Sequence, residues 1–252
     1  MLKEARFTRI VFFTTLAGIA AYAGSLIVFL ANNVRLDTTV NDALIVSGAR
    51  PGVFGSAYLL QGLAFLLWAL VPVSVSQRFR EDAPGISQLT AIVGGFGFVW
   101  RALADFAKAG SMEFLGQVYR TGDASLQLFA KQLATWAQLW TFGAVWELLG
   151  NGIAFGIFTL LTGLLLLATD RRILGWTVFS FGVLIASSWI GTATFYVLGL
   201  RAGLQWIGAP GYVTLVIAPL WLGWLAWHVQ QQPNTEIQIT SQPSEAVPEP
   251  AT

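Results

Sequence analysis

The chain has 252 residues, 55% hydrophobic and only 11% charged, with a net charge of +1. Soluble domains carry about 25% charged residues, so a water-covered globule of this size is excluded, and near-neutrality gives no electrostatic basis for binding nucleic acid. With no Cys and one His, disulfide frameworks, thiolate metal sites, thiol redox centres and bis-histidine haem are excluded, and no metal or cofactor is expected.

Lys3, Arg6 and Arg9 precede a first apolar run at 10–31. A signal peptide starts the same way, but its apolar core is only about 7–15 residues long. About 20 helical residues cross roughly 30 Å of hydrocarbon, so this run is expected to be a retained span. In the loop at 37–51, Thr39 is placed to N-cap a short helix with Asp42 at its third position, Gly48 closing it and Pro51 stopping it. The second span is predicted at 53–75, with Pro72 near its end and Gln61 as its main interior polar residue. The third is predicted at 86–107. Over 124–136, Leu126, Phe129, Leu133 and Trp136 recur three or four apart, which predicts an amphipathic helix on the surface or leading into the next span. The fourth span lies within 139–168, the fifth at 173–198 and the sixth at 212–227, the last extended by 207–210 and bent at Pro219. Lipid offers backbone groups no partners, and long uninterrupted apolar runs are not the alternating pattern of barrel strands. The expected fold is therefore an all-α polytopic membrane bundle of six transmembrane helices over 1–229. The tail, 230–252, has neither Lys nor Arg and little apolar content, and is expected to be a disordered cytoplasmic segment, with docking of a protein partner as its alternative role.

Orientation follows Lys and Arg near the span ends. Six spans put seven basic residues on the side of the N-terminus and six on the other. The first set is concentrated in short connectors at the span ends, which places both termini inside a bacterial plasma membrane.

Ionisable residues inside spans are costly and usually face the bundle interior. Arg101 and Asp105 stand i,i+4 in the third span, on a stripe with Gly94 and Gly97, and Glu147 and Asn151 stand i,i+4 in the fourth. At about 1.5 Å per residue, Arg101, Asp105 and Glu147 lie roughly 22, 28 and 31 Å above the inner ends of their spans. The expectation is an Arg101–Asp105–Glu147 cluster with Asn151 beside it, in the outer leaflet, with a formal charge near −1. It is read as a binding point for a small-molecule ligand, against the alternative of an ion pair that only sets helix register.

The fifth span carries Thr177, Ser180, Ser187, Gly191 and Thr194 on one face, a helix contact or the wall of a polar cavity. Gly152 and Gly156 predict a close approach in the fourth. Trp221, Trp224 and Trp227 fit an interfacial belt, with His228 at the headgroups. There is no nucleophile elbow, P-loop, HExxH or dinucleotide fingerprint. No Lys falls within a predicted span, which sets aside a retinal-type Schiff base. Three functions remain: binding or transport of a small solute at the cluster, a structural or sensory subunit without substrate, and a membrane-embedded enzyme on a lipid-like substrate using Glu147 or Asp105 as acid or base.

The order of parts resembles a family of uncharacterised bacterial six-span membrane proteins, a domain of unknown function. The likeness lies in the basic start, the loop helix at 39–48, the segment GFGFVWRALADFAKAG, the amphipathic approach to the fourth span and the turn TDRRILGW into a Gly-containing fifth span. It spans Thr8 to Val229. Members of the family often carry a His in the approach to the fourth span and a Pro-Arg turn; this chain has Trp136 and Gln138, and Asp170-Arg171-Arg172. The resemblance implies six spans and transfers no activity and no functional residue.

Overall fold

Each apolar run forms helix. The computed structural model describes residues 2–34, 39–139, 144–198 and 204–231, and no strand occurs among them. The helices are α1 (Leu2–Ala31), α2 (Val40–Ala49), α3 (Val53–Trp68), α4 (Leu70–Arg78), α5 (Pro84–Thr121), α6 (Ala124–Leu139), α7 (Ala144–Asn151), α8 (Phe158–Ala168), α9 (Arg172–Val197) and α10 (Leu204–Gln231), with a π-helical turn, Gly152–Ile157, joining α7 to α8. Among the described residues, five helical stretches are long and apolar enough to cross a membrane: Arg6–Ala31, Val53–Arg78, Pro84–Thr121, Trp146–Ala168 and Arg172–Phe195. These are the first five predicted spans. In the region of the sixth, Val216–His228 is a shorter apolar helical stretch. α10 continues through Pro219 as one helical element. The tail from 232 onward lies outside the described residues.

The second span is perturbed at one residue, Ala69, which keeps right-handed helical dihedrals, where Pro72 removes a hydrogen bond. A proline at 72 leaves the Trp68 carbonyl without its N–H partner and crowds it, and the chain turns at Ala69 between α3 and α4. The third span runs well past the predicted 107. α5 is one helix of 38 residues, about 57 Å long at about 1.5 Å per residue, against about 30 Å of hydrocarbon. Apolar content ends the predicted span, but nothing in 108–121 ends the helix. Residues expected in a loop, Lys108 and Arg120 among them, are therefore helical.

Two cores lie along α5. In the first, α1, α3, α5, the π turn, α8 and α9 meet around buried Phe65, Trp68, Phe98, Phe155 and Phe158. In the second, the far half of α5 is capped by α2 and α6 through Leu44, Phe54, Met112, Leu115, Ala130 and Ala134. Thr39 caps α2 as predicted, its Oγ1 accepting from the Asp42 N–H at 3.2 Å. Gly48 does not close that helix. It sits inside it, where a Cβ would meet the Gly116 carbonyl oxygen at 2.5 Å, and Ser47 Oγ donates to the Met112 carbonyl at 2.9 Å. The turn glycine is instead Gly52, at φ +94°, a conformation costly to residues with a Cβ. Glu113 accepts from the N–H groups of Gly52 at 2.9 Å and Gly55 at 2.8 Å, so α5 caps the start of α3.

On α6 the predicted apolar stripe is buried only in part. Leu133 packs half-buried against the second core, Leu126 and Phe129 are exposed, and the fully buried positions are the small Ala130 and Ala134. Side chains this short let α6 lie close to its neighbours. The side chain of Trp136 lies outside the described residues. Asp123 begins the helix: its carboxylate accepts from Ser125 Oγ at 2.6 Å, Leu126 N at 3.0 Å and Ser125 N at 2.9 Å. The Ser125 hydroxyl and then the Leu126 N–H hold this carboxyl below its ordinary range.

Two outcomes follow. Gly97→Ala puts a Cβ 2.6 Å from the Ala154 backbone nitrogen and is expected to cost about 1–3 kcal/mol in thermal unfolding in detergent. Gly85→Ala, whose Cβ meets nothing within 4 Å, should leave the midpoint unchanged. The depressed Asp123 carboxyl stabilises α6 above its unfolded-state pKa of about 3.9, and this contribution is lost as pH falls through the lower folded value. Hydrogen exchange at Ser125 and Leu126, corrected for intrinsic rates, should therefore accelerate in Asp123→Ala at neutral pH and in the parent protein only at strongly acid pH.

Candidate functional site

All four residues singled out in the two spans meet at one point. Arg101 on α5 pairs with Asp105 one turn on. Its Nη2 donates to Glu147 Oε1 at 2.8 Å and its Nε to Asn151 Oδ1 at 3.0 Å, both on α7. Its Cζ stands 4.7 Å from the centre of the Phe65 ring of α3, within cation–π range. One guanidinium thus joins three helices. It is 3% exposed and Asp105 0%. Small residues make room for this. A Cβ on Gly150 would lie 3.3 Å from Arg101 Cα, so α7 lies almost against the α5 backbone where the side chains pair. The π turn begins immediately after Asn151. Such turns recur at functional sites.

One member was missed. Lys108 Nζ pairs with Glu147, so that carboxylate bridges two cations. The Lys108 ammonium also stands 5.5 Å from the centre of the Tyr58 ring. Two expectations change. The cluster is formally neutral, two cations against two carboxylates, rather than −1. A lysine does lie in a span-forming helix, so the Schiff-base exclusion drawn from its absence no longer follows. The signal was available: 101, 105 and 108 share one helical face, but Lys108 comes one residue after the apolar run ends.

The cluster is not fully satisfied. Asp105 Oδ2 and Asn151 Nδ2 are buried without hydrogen-bond partners among the described residues. One is an acceptor and the other a donor, and both side chains flank the same guanidinium. A buried polar atom left unpaired costs about 1–3 kcal/mol. The edge of the cluster is less closed, with Glu147 24% and Lys108 17% exposed.

The other predicted polar features fall elsewhere. Of the fifth-span stripe, Thr177, Ser180, Ser187 and Thr194 are exposed, so these four hydroxyls line no cavity among the described residues, and Gly191 is half-buried. Thr177 and Thr194 donate to carbonyls one turn back at 2.9 Å, which satisfies their hydroxyls without any neighbour. α9 is buried through Val178, Ile185, Trp189 and Ala193 in the first core, with Gly175, Gly182 and Ala186 allowing close approach. Gly156 does mark a close approach: a Cβ there would lie 2.5 Å from Ala186. Gln61 is buried as expected. Of the three Trp read as a belt, Trp224 and Trp227 are exposed, while Trp221 is half-buried against the first core. His228 does more than sit at an edge, since its Nε2 is 2.9 Å from Arg171 Nη1.

Comparison with protein-family models, curated proteins and solved structures finds no match.

Arg101→Met leaves Asp105 without its cation and is expected to cost about 3–5 kcal/mol. Adding Asp105→Leu removes the stranded carboxylate and should recover more than half of that loss in thermal unfolding. A double variant no more stable than Arg101→Met would show that the ion pair is not what the single variant loses.

Proposed function

We propose that this chain is a six-span protein of a bacterial plasma membrane, with both termini in the cytoplasm, and that its Arg101-centred cluster binds a small polar solute. The sixth span would be formed by α10. Its apolar stretch Val216–His228 supports this, as does the resemblance to a six-span family. The orientation gains support from Lys108. Paired with Glu147 inside the bundle, it is not a free loop charge, and leaving it out makes the balance seven basic residues against five.

The observation that carries the binding reading is the unpartnered pair, Asp105 Oδ2 and Asn151 Nδ2. A solute offering a donor to the first and an acceptor to the second completes the network. Buried ion pairs are poor devices for stability alone, because apolar replacements often do as well, and ionisable residues at depth mark solute or ion sites by default. One observation favours a second reading, a lock without ligand: the four charges already cancel and tie α5 to α7.

The test is thermal unfolding of the purified protein against amino acids, small carboxylates, polyols and monovalent cations. At 100 times its Kd a ligand stabilises by about 2.7 kcal/mol, which is roughly 5–10 °C for a chain of this size. A shift of that scale in the parent protein, absent in Asp105→Asn and in Glu147→Gln, is expected. No shift with any solute, together with lowered midpoints in both variants, would favour the lock.

A further inference from the structure

A second polar constellation lies at the opposite end of the first core from the cluster. There α4 ends at Arg78, α8 ends at Ala168, and α9 starts at Arg172. Between them is a cavity of about 380 Å³ whose lining includes Arg78, Phe79, Asp82, Thr169, Asp170 and Arg171. Its volume is at the lower end of the roughly 300–1,000 Å³ typical of small-molecule sites. Because the second, fourth and fifth span-forming helices all terminate around it, it lies at headgroup level in either orientation.

The chemistry is specific. Two guanidiniums and two carboxylates line one small opening, and at its solvent-exposed rim the Arg172 guanidinium stands 3.9 Å from Asp170, so both signs of charge face the same space. An anion alone would meet the two Arg side chains and be repelled by the two Asp side chains. A cation alone would meet the converse. A group carrying both signs a few bonds apart satisfies both. Arg171 is positioned by its contact with His228 at 2.9 Å, and His228 stacks on Trp224 with ring centres 5.0 Å apart. Arg171 immediately precedes α9, whose positive dipole end adds to the preference for a phosphate there. Asp170 is held at φ +57°, which Asp and Asn tolerate better than other residues with a Cβ. Beyond the cavity rim α9 continues with Ile173 and Trp176 exposed, side chains suited to acyl chains rather than water.

We propose that this cavity binds a zwitterionic phosphate ester bearing a primary ammonium, the headgroup of an ethanolamine phospholipid. Arg78 and Arg171 take the phosphate oxygens, where guanidiniums form charge-assisted bonds. Asp82 and Asp170 accept from the ammonium N–H groups. A choline headgroup has the same charges but no N–H to donate, and a glycerol headgroup leaves the two carboxylates facing a net anion.

The test is native mass spectrometry of the full chain in detergent, titrated with phosphatidylethanolamine, phosphatidylcholine and phosphatidylglycerol of identical chains. Soluble phosphoethanolamine and inorganic phosphate serve as competitors. The ethanolamine lipid should be retained roughly tenfold better than either other lipid, the ratio set by one charge-assisted hydrogen bond. Phosphoethanolamine should displace it and inorganic phosphate should not. Arg171→Gln should weaken binding of all three lipids. Asp82→Asn should remove only the preference, and so should Asp170→Asn, which keeps the turn because Asn tolerates the same backbone. Equal retention of the glycerol lipid, a preference that survives both Asp variants, or displacement by inorganic phosphate would each overturn the proposal, the last by making the site one for a free anion.

Discussion

The structure is organised by a permanently charged side chain with almost no access to water. Arg101 cannot shed its proton, so everything around it must supply charge, hydrogen bonds or a π face. Asp105, Glu147, Asn151 and Phe65 do so from three helices. These contacts dictate backbone spacing. α7 can bring Glu147 and Asn151 to the guanidinium only if Gly150 lets it lie against α5. In a bilayer the hydrophobic effect gives one helix no reason to prefer another. Close approach of small residues and satisfaction of buried polar groups therefore carry much of the specificity, and here the two act at the same turn of α5.

The same region joins the two cores. Along α5, Phe98 and Ala102 belong to the first and Met112 and Leu115 to the second, with Asp105 and Lys108 between them. Lys108 connects the levels. Its ammonium pairs with Glu147 and lies over Tyr58, whose ring packs on Phe29 and Phe54 beneath the cap. One side chain thus touches both levels, and Glu113 adds a second tie by capping α3 from α5.

Much of this was legible in the residues. Spacing of i,i+4 inside two apolar runs is enough to put Arg101 and Asp105 on one face of their helix and Glu147 and Asn151 on one face of theirs, because depth and helical face are both nearly fixed by counting along a helix. What counting does not supply is where a helix ends. α5 outlasts its apolar stretch because second-core contacts from α2 and α6 sustain it, and those are tertiary. Lys108 was lost for that reason. Face assignment was incomplete on α6 and α9 for a related one. On α6 the fully buried positions are Ala130 and Ala134, which have little hydrophobic signal but permit close approach, and on α9 hydroxyls occur on both faces, Ser188 and Thr192 buried and Thr177 and Thr194 exposed, so polarity alone does not tell the faces apart. The cavity at Arg78 and Arg171 joins residues about ninety positions apart and has no local pattern at all.

Between the two polar constellations stands an aromatic barrier. Phe65, Trp68, Phe98, Phe155 and Phe158 are buried and in mutual ring contact, at centroid separations of 5.4–6.5 Å. Close-packed rings of this kind leave a polar solute no hydrogen-bonding route along the bundle axis. A site at Arg101 is therefore reached from one side in this conformation, and passage to the other side would require the rings to separate. Phe155 lies within the π turn, where the wider backbone spacing departs from ordinary helical geometry. If the solute reading holds, this non-α element of the barrier begins one residue after Asn151, so the group that binds and the turn that carries Phe155 are adjacent in the chain. If the cluster is only a lock, the same turn has no such task, and its regularisation to α-helix would leave the protein's behaviour toward solutes unchanged.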